Sequence, residues 1–218
     1  MAAEGSSNNK FLEIFNPTSS EVDLSGYALA ACANGCADST YEYWSEFDSG
    51  ATIAAGGYYV VCHGSADDTI TAVCDQTNSY LSNGDDVLAL VKGGESSFTI
   101  LDTLGDAWSD TDPGSSWTVC GDSAGTKDTT LVRADCTTSG NGGDWSVEES
   151  ADTCTWVVYG QDEMWDSLET WASSSSSCDD PTIQPTIAPT SPPPTSAAPT
   201  GAPASDDTAS SSTDLFFT

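Results

Sequence analysis

Short runs of apolar and β-branched residues, separated by turn residues, recur through the first half of the chain. The clearest is Tyr58–Cys62, which two glycines precede. A second run at 87–91 is followed by a Gly-rich turn at 92–95 and a third run at 98–101, a pattern that predicts a β-hairpin. Six or seven such runs in about 100 residues predict an all-β, immunoglobulin-like β-sandwich.

Strand signals continue beyond residue 105, but they are farther apart. Thr129–Arg133 and 155–159 are rich in β-branched and aromatic residues, so both are predicted strands. Met164, Leu168 and Trp171 recur at the spacing of one helix face. We therefore predict that a short amphipathic helix closes the folded part of the chain.

The composition changes abruptly at residue 172. A serine run at 173–177 is followed at 181–203 by a segment rich in Pro, Thr, Ser and Ala, without an aromatic residue. Such a segment cannot bury enough apolar surface to offset the entropy lost on ordering. We predict a β-sandwich at 1–105, a β-rich, disulfide-bonded extension packed on it at 106–171, and a disordered Ser/Thr/Pro-rich tail at 172–218.

The chain is strongly acidic, with 34 acidic residues, 4 basic residues and a formal net charge of -30. Direct nucleic-acid binding needs clustered Lys and Arg to neutralise phosphates, so the composition argues against it. The same charge argues against an anionic membrane surface, and no apolar run is long enough to span a bilayer. Because extracellular salt screens such a surface, the charge suits a secreted protein.

Eight cysteines are spread along the chain, and a single His accompanies them. A structural zinc site needs two closely spaced ligand pairs, which this spacing does not offer. Disulfides are therefore the better interpretation, and they imply an oxidising, extracellular location. Eight cysteines allow about 105 pairings. The shortest loops favour four of them: Cys32–Cys36, Cys62–Cys74, Cys120–Cys136 and Cys154–Cys178.

The N-terminus does not match an extracellular location. Met1 to Glu4 contains neither the basic nor the apolar region of a signal peptide. We therefore expect that the sequence is truncated and that the signal for secretion lies upstream of it.

Five blocks of sequence carry a family resemblance. The first is Glu-Gly-Ser-Ser-Asn-Asn-Lys-Phe-Leu-Glu-Ile-Phe-Asn-Pro-Thr at 4–18, and the others follow in order at 22–27, 53–61, 81–91 and 101–105. Together they resemble the lamin tail domain (LTD), in the form that occurs in secreted bacterial and algal proteins. The resemblance implies an immunoglobulin-like β-sandwich without catalytic residues of its own, which binds or tethers beside secreted nucleases, phosphatases or surface anchors.

The start of the chain departs from this family pattern. Family members usually carry a short apolar strand before the first block, where this chain has only Met1-Ala2-Ala3. The resemblance therefore predicts that the first strand of the sandwich is missing.

Few side chains are candidates for chemistry. His63 has no Gly-x-Ser-x-Gly nucleophile motif near it, so no catalytic residue and no organic cofactor are predicted. Asp85, Asp86, Asp110 and Asp112 are candidate calcium ligands, because calcium binds Asp side chains in loops. The alternative for the first two is a solvated acidic hairpin turn.

Tryptophan supplies the best candidates for a binding surface. Trp108 and Trp117 are flanked by small and acidic residues, so we expect their rings to be exposed. We predict a non-enzymatic extracellular module on a Pro/Thr-rich stalk, which attaches to protein or glycan at the cell surface or in the extracellular matrix. The alternative is an accessory domain of a secreted hydrolase such as a nuclease or a phosphatase.

Overall fold

The computed structural model describes residues 2–36, 40–81, 83–109, 111–135, 137–170 and 214–218. The strands in this part of the chain are β1 (Ala2–Glu4), β2 (Lys10–Phe15), β3 (Val22–Asp23), β4 (Tyr27–Cys32), β5 (Tyr43–Glu46), β6 (Thr52–Ile53), β7 (Tyr58–Cys62), β8 (Gln76–Thr77), β9 (Val87–Gly94), β10 (Ser97–Leu104), β11 (Thr129–Arg133), β12 (Trp156–Gly160) and β13 (Phe216–Phe217). Two short helices, α1 (Asp68–Thr71) and α2 (Ser146–Glu149), and the 3₁₀ turns Leu24–Gly26 and Trp165–Ser167 complete the description.

The strands form two large sheets and one small one. The first sheet has the order β12-β11-β1-β2-β7-β8, with β13 also paired to β2, and the second has the order β10-β9-β4-β5. The third consists of β3 and β6. Neighbouring strands are antiparallel except for β7 and β8. The predicted all-β, immunoglobulin-like β-sandwich is therefore confirmed.

The main core lies between the facing sides of the two large sheets. Leu12 and Ile14 of the first sheet pack with Leu29 and Leu90 of the second. Alternate residues of a strand point to opposite faces, so Phe11 and its neighbours on the other side of β2 cannot reach this core. They pack instead in a second cluster against α1 and the segment around the last 3₁₀ turn.

The predicted amphipathic helix near residue 168 is wrong in extent. The structure has only the 3₁₀ turn Trp165–Ser167, and Met164 and Glu169 on either side of it have left-handed backbone, with φ of 67° and 64°. A continuous α-helix needs φ near -63° at each position. Leu168 is nevertheless buried in the second cluster, as the apolar spacing predicts.

The start of the chain forms a strand at the centre of the first sheet. Ala2–Glu4 pairs with β2 on one side and with β11 on the other. The residues that the family pattern treats as the remnant of a missing strand therefore make a short strand of their own. β11 and β12, from the predicted extension at 106–171, belong to this same sheet, so the extension continues the sandwich. The predicted domain boundaries at 105 and 171 stay a prediction.

The last five residues differ from the predicted disordered tail at 172–218. Phe216 and Phe217 pair with β2, and the side chains of Leu215 to Thr218 are at most 1% exposed. The prediction is therefore wrong for these residues, because their apolar side chains meet a sheet edge that accepts them. Residues 171–213 lie outside the described part of the chain.

Candidate functional site

Two disulfides lie where the short-loop argument places them. Cys32 and Cys36 close the end of β4, with Cα atoms 5.2 Å apart. Cys62 and Cys74 join the end of β7 to the segment after α1, with Cα atoms 5.8 Å apart. Both separations are usual for disulfides, and both bonds anchor loops to the ends of interior strands of the sandwich.

The third disulfide corrects the predicted pairing. The structure joins Cys120 to Cys154, so the predicted pairs Cys120–Cys136 and Cys154–Cys178 are wrong. The backbone amide of Cys120 donates to the carbonyl oxygen of Glu148 at 2.8 Å, which brings the loop beside the segment between α2 and β12. Loop length alone does not reveal this contact. Cys136 and Cys178 lie outside the described residues.

His63 has a local role in a turn. It follows β7, is half-buried, and its Nδ1 accepts a hydrogen bond of 3.1 Å from the backbone amide of Ser65. This contact uses one ring nitrogen to order the turn. His63 thus accepts a backbone hydrogen bond within a turn, which is a structural role and not that of a base beside a nucleophile.

The acidic turn before β9 uses Asp86 as an acceptor for backbone groups. Its carboxylate accepts hydrogen bonds from the backbone amides of Asn34, at 2.7 Å, and Asn83, at 2.5 Å. Asp85, beside it, is half-buried. One oxygen of Asp86 therefore orders its own turn, and the other joins this turn to the loop after β4.

The other acidic candidates lie on a separate loop. Asp112 accepts a hydrogen bond of 2.7 Å from the backbone amide of Gly114, which makes it part of a turn. Asp110 lies outside the described residues. Within the described ranges, no group of three or more His, Cys, Asp or Glu side chains is placed to hold a metal ion. Calcium binding stays a prediction.

A small apolar cavity of about 70 Å³ lies between the two large sheets, lined in part by Leu12, Leu88 and Leu131. Glu4 lies at its border, where Oε2 accepts backbone hydrogen bonds of 3.0 Å from Gly84 and Asp128. Burial raises the pKa of Glu4, and these hydrogen bonds oppose that shift. Ligand pockets usually have volumes of about 300–1,000 Å³, so this cavity is too small for a metabolite or an organic cofactor.

Trp117 is a core residue, so the prediction that its ring is exposed is wrong. It is 5% exposed, and its Nε1 donates a hydrogen bond of 3.0 Å to the backbone oxygen of Asp86. Its ring also lies against Gly105, where a Cβ atom would come within 2.5 Å of Nε1. Gly105, which is distant from Trp117 in the chain, allows this close approach. The sequence interpretation instead took the small residues that flank Trp117 as a sign of exposure.

Trp108 lies at the surface of the second sheet and is half-buried. It belongs to an aromatic cluster that we call the aromatic face: Tyr41, Trp44, Phe98 and Trp108. Its rings meet edge-on or tilted, with centroids 5.4 Å to 6.0 Å apart. Such arrangements are favourable for aromatic pairs, and all four residues are partly open to solvent.

The floor under the aromatic face consists of small side chains from the two central strands. Ala28 and Ala30 of β4 and Ala89 and Val91 of β9 are fully buried there. These residues point away from the main core, because their strand neighbours point into it. Small residues in the floor leave room for the large rings above them, so the outer side of the second sheet presents an apolar, aromatic surface.

The aromatic face is held in place at its edge by a hydrogen bond. The hydroxyl of Tyr41 donates to the backbone oxygen of Glu95 at 2.8 Å, which ties the segment before β5 to the β9–β10 turn. Partial removal from water, and then the negative charge of Glu95, raise the pKa of Tyr41. The sequence predicts one ring of this surface, Trp108. The others were missed because Tyr41 and Trp44 are distant from Phe98 in the chain.

Arg133 is a buried charged residue that sequence reasoning also missed. Its guanidinium donates to both carboxylate oxygens of Asp102, each at 2.6 Å, and to Glu148 at 2.8 Å. It lies over the ring of Trp156, 3.8 Å from the centroid. These contacts join β10, β11, β12 and α2, so the role we assign to Arg133 is structural.

No helix in the described ranges is both long and apolar enough to span a membrane. No curated protein matches the chain. Residues 1–106 match the family model of the Lamin Tail Domain, which supports placing this part of the chain in that family.

Proposed function

We propose that the chain is a non-catalytic, extracellular binding or tethering module, a lamin tail domain of the secreted type that attaches to protein or glycan at the cell surface or in the matrix. The Lamin Tail Domain is an immunoglobulin-like family without enzymatic activity of its own, which fits a module that binds. The three disulfides among the described residues and the net charge of -30 fit an oxidising, salt-rich environment.

The aromatic face carries this proposal. Its rings are partly open to solvent and packed on buried small side chains of the sheet, and aromatic residues are enriched where proteins contact partners. The flat faces of such rings also stack on the C–H faces of sugars. The stacked pair Tyr43 and Tyr80, with centroids 5.0 Å apart and 40% and 58% exposed, lies on the other side of β5, because Tyr43 precedes Trp44 in the strand, and it is not part of the aromatic face.

A direct test measures the binding of the folded protein to immobilised cell-surface polysaccharides and matrix proteins. We expect the double variant Phe98→Ser and Trp108→Ser to bind at least about tenfold more weakly, since hot-spot side chains contribute about 2 kcal/mol or more. The control is Val157→Ser, at a residue that is 42% exposed on the outermost strand β12. Near-UV circular dichroism checks that all three proteins are folded.

Two results would contradict the proposal. In the first, the double variant and Val157→Ser bind as well as the wild type. In the second, the wild type binds neither class of immobilised partner. The first result would show that the partner does not contact the rings of the aromatic face. The contact would then lie on another surface, and the proposal would lose the observation on which it rests.

A further inference from the structure

One edge of β2 is shared by two strands that lie end to end. β1 covers residues 10–12 of this edge, and β13 covers residues 14 and 15. β7 occupies the opposite edge along the length of β2. β1 begins opposite residue 12, so it leaves the edge at 13–15 uncovered. We call this edge the acceptor slot, and residues 216–218 fill it.

The backbone of β13 is recognised in the acceptor slot at several points. The amide of Phe217 donates to Oδ2 of Asp102 at 3.0 Å, and its carbonyl oxygen accepts from Nε of Arg133 at 3.1 Å. The amide of Thr218 donates to the carbonyl oxygen of Glu13 at 3.0 Å, and its hydroxyl donates to Oε1 of Glu13 at 2.7 Å. The hydrogen bond from the Thr218 amide is of the main-chain type that binds added strands, and buried side chains hold the backbone of Phe217.

The side chains of the segment alternate between the two clusters of the sandwich. Leu215 and Phe217 belong to the main core, and Phe216 belongs to the second cluster, where its ring lies 5.7 Å from that of Phe15. Full burial of three such side chains stabilises the bound segment by about 1.5–3 kcal/mol each. The segment is therefore a bound strand with a sequence that fits its slot.

A partly exposed ion pair lies where the segment enters the slot. Asp214 lies 2.7 Å from Nζ of Lys92 and accepts a hydrogen bond of 3.0 Å from the hydroxyl of Tyr27. The hydrogen bond to Asp214 raises the pKa of Lys92. Pairing of Phe216 and Phe217 with β2 sets the register of the segment, and Asp214 adds polar contacts at its start.

The segment that connects β13 to the rest of the sandwich is long enough for β13 to come from the same copy of the chain or from a second copy. Residues 171–213 separate the segment from the rest of the sandwich, and a stretch of this length spans about 150 Å when fully extended. Transfer of the strand to a second copy replaces every contact by an identical one, which makes exchange a low-cost route to oligomers. Concentration then decides between the two arrangements.

We propose that residues 214–218 are an exchangeable donor strand, which fills the acceptor slot of its own copy in dilute solution and that of a second copy at high concentration. Exchange between two copies gives a closed dimer, and continued one-way exchange gives head-to-tail chains. This assembly does not depend on what the aromatic face binds.

The Lys92–Asp214 ion pair provides a test with the wild-type protein. Heavy-isotope-labelled and unlabelled chains are mixed equally, unfolded without reductant so that the disulfides persist, and refolded together at high concentration. Monomer and dimer fractions are separated by size, and a zero-length carbodiimide joins Nζ of Lys92 to the carboxylate of Asp214. In the dimer fraction we expect about half of these cross-links to join a labelled to an unlabelled chain, and in the monomer fraction none.

Two controls make the result specific. Asp214→Asn must abolish this cross-link, and an excess of the peptide Asp-Leu-Phe-Phe-Thr during refolding must lower the dimer fraction by occupying the slot. The proposal is overturned if no dimer forms at the highest soluble concentration. It is equally overturned if dimers form whose cross-links join only chains of the same label, or if the peptide leaves the dimer fraction unchanged.

Discussion

Replacement of Arg133 by Met tests the buried charge network directly. Arg133 is 1% exposed, and the side chains that it contacts, Asp102 and Glu148, are 0% and 1% exposed. Loss of the guanidinium leaves two carboxylates out of water without their cation. Breaking a buried ion pair by removal of one partner costs about 3–5 kcal/mol, a large share of the roughly 5–15 kcal/mol that stabilises a whole domain.

Urea unfolding of the oxidised protein, followed by tryptophan fluorescence, measures this loss. Trp156 is a suitable reporter because its ring lies under the guanidinium of Arg133. Arg133→Lys keeps the charge but not the planar fork that bridges the two carboxylates, so we expect an intermediate loss. The matched control is Lys127→Met, at an exposed position, which should stay within about 0.5 kcal/mol of the wild type.

The magnitude of the loss decides whether the reasoning holds. A decrease below about 1 kcal/mol for Arg133→Met would match an exposed ion pair and would refute the claim that the network is buried and charged. A loss as large in Lys127→Met would show that any change of charge destabilises this acidic chain, whatever its position.

Two further predictions concern single side chains. Burial, and then Asp48 and Asp75, raise the pKa of Tyr59 to about 12. Its neutral form therefore stabilises the fold below a pH of about 10, and this contribution is lost as the pH rises to about 12. The phenolate titration of Tyr59→Phe should lack the transition at the highest pH, and its persistence would contradict the assignment. Asp86→Ala should destabilise the protein by about 1–2 kcal/mol because two backbone amides lose their acceptor. The loss should be equal in calcium and in EDTA, and a loss confined to calcium would instead support a calcium site.

Local signals explain what the sequence predicts correctly. Tyr58–Cys62 is a strand because a turn precedes a run of β-branched and aromatic residues. The predicted hairpin is also present, although β9 continues to Gly94 and the turn lies at 95–96 instead of 92–95. The two short-loop disulfides follow from the same kind of evidence. In each case the residues that specify the structure are neighbours in the chain.

Contacts between distant segments explain what the sequence does not reveal. Arg133 looks like an ordinary end of a strand, and only the fold brings Asp102 and Glu148 around it. The slot that accepts Phe216 is likewise formed by β2, nearly the whole chain away. Composition averaged over the Pro/Thr-rich stretch cannot show that a few residues at its end fit that slot.

Disulfide mapping tests most directly the premise of the account, an oxidised sandwich that works outside the cell. Digestion of the unreduced protein should release linked peptides that contain Cys32–Cys36, Cys62–Cys74 and Cys120–Cys154. If all eight cysteines are oxidised within one chain, Cys136 must pair with Cys178, and no thiol should react before reduction. Several reactive thiols in the folded protein, or peptides that link Cys120 to Cys136, would contradict the account.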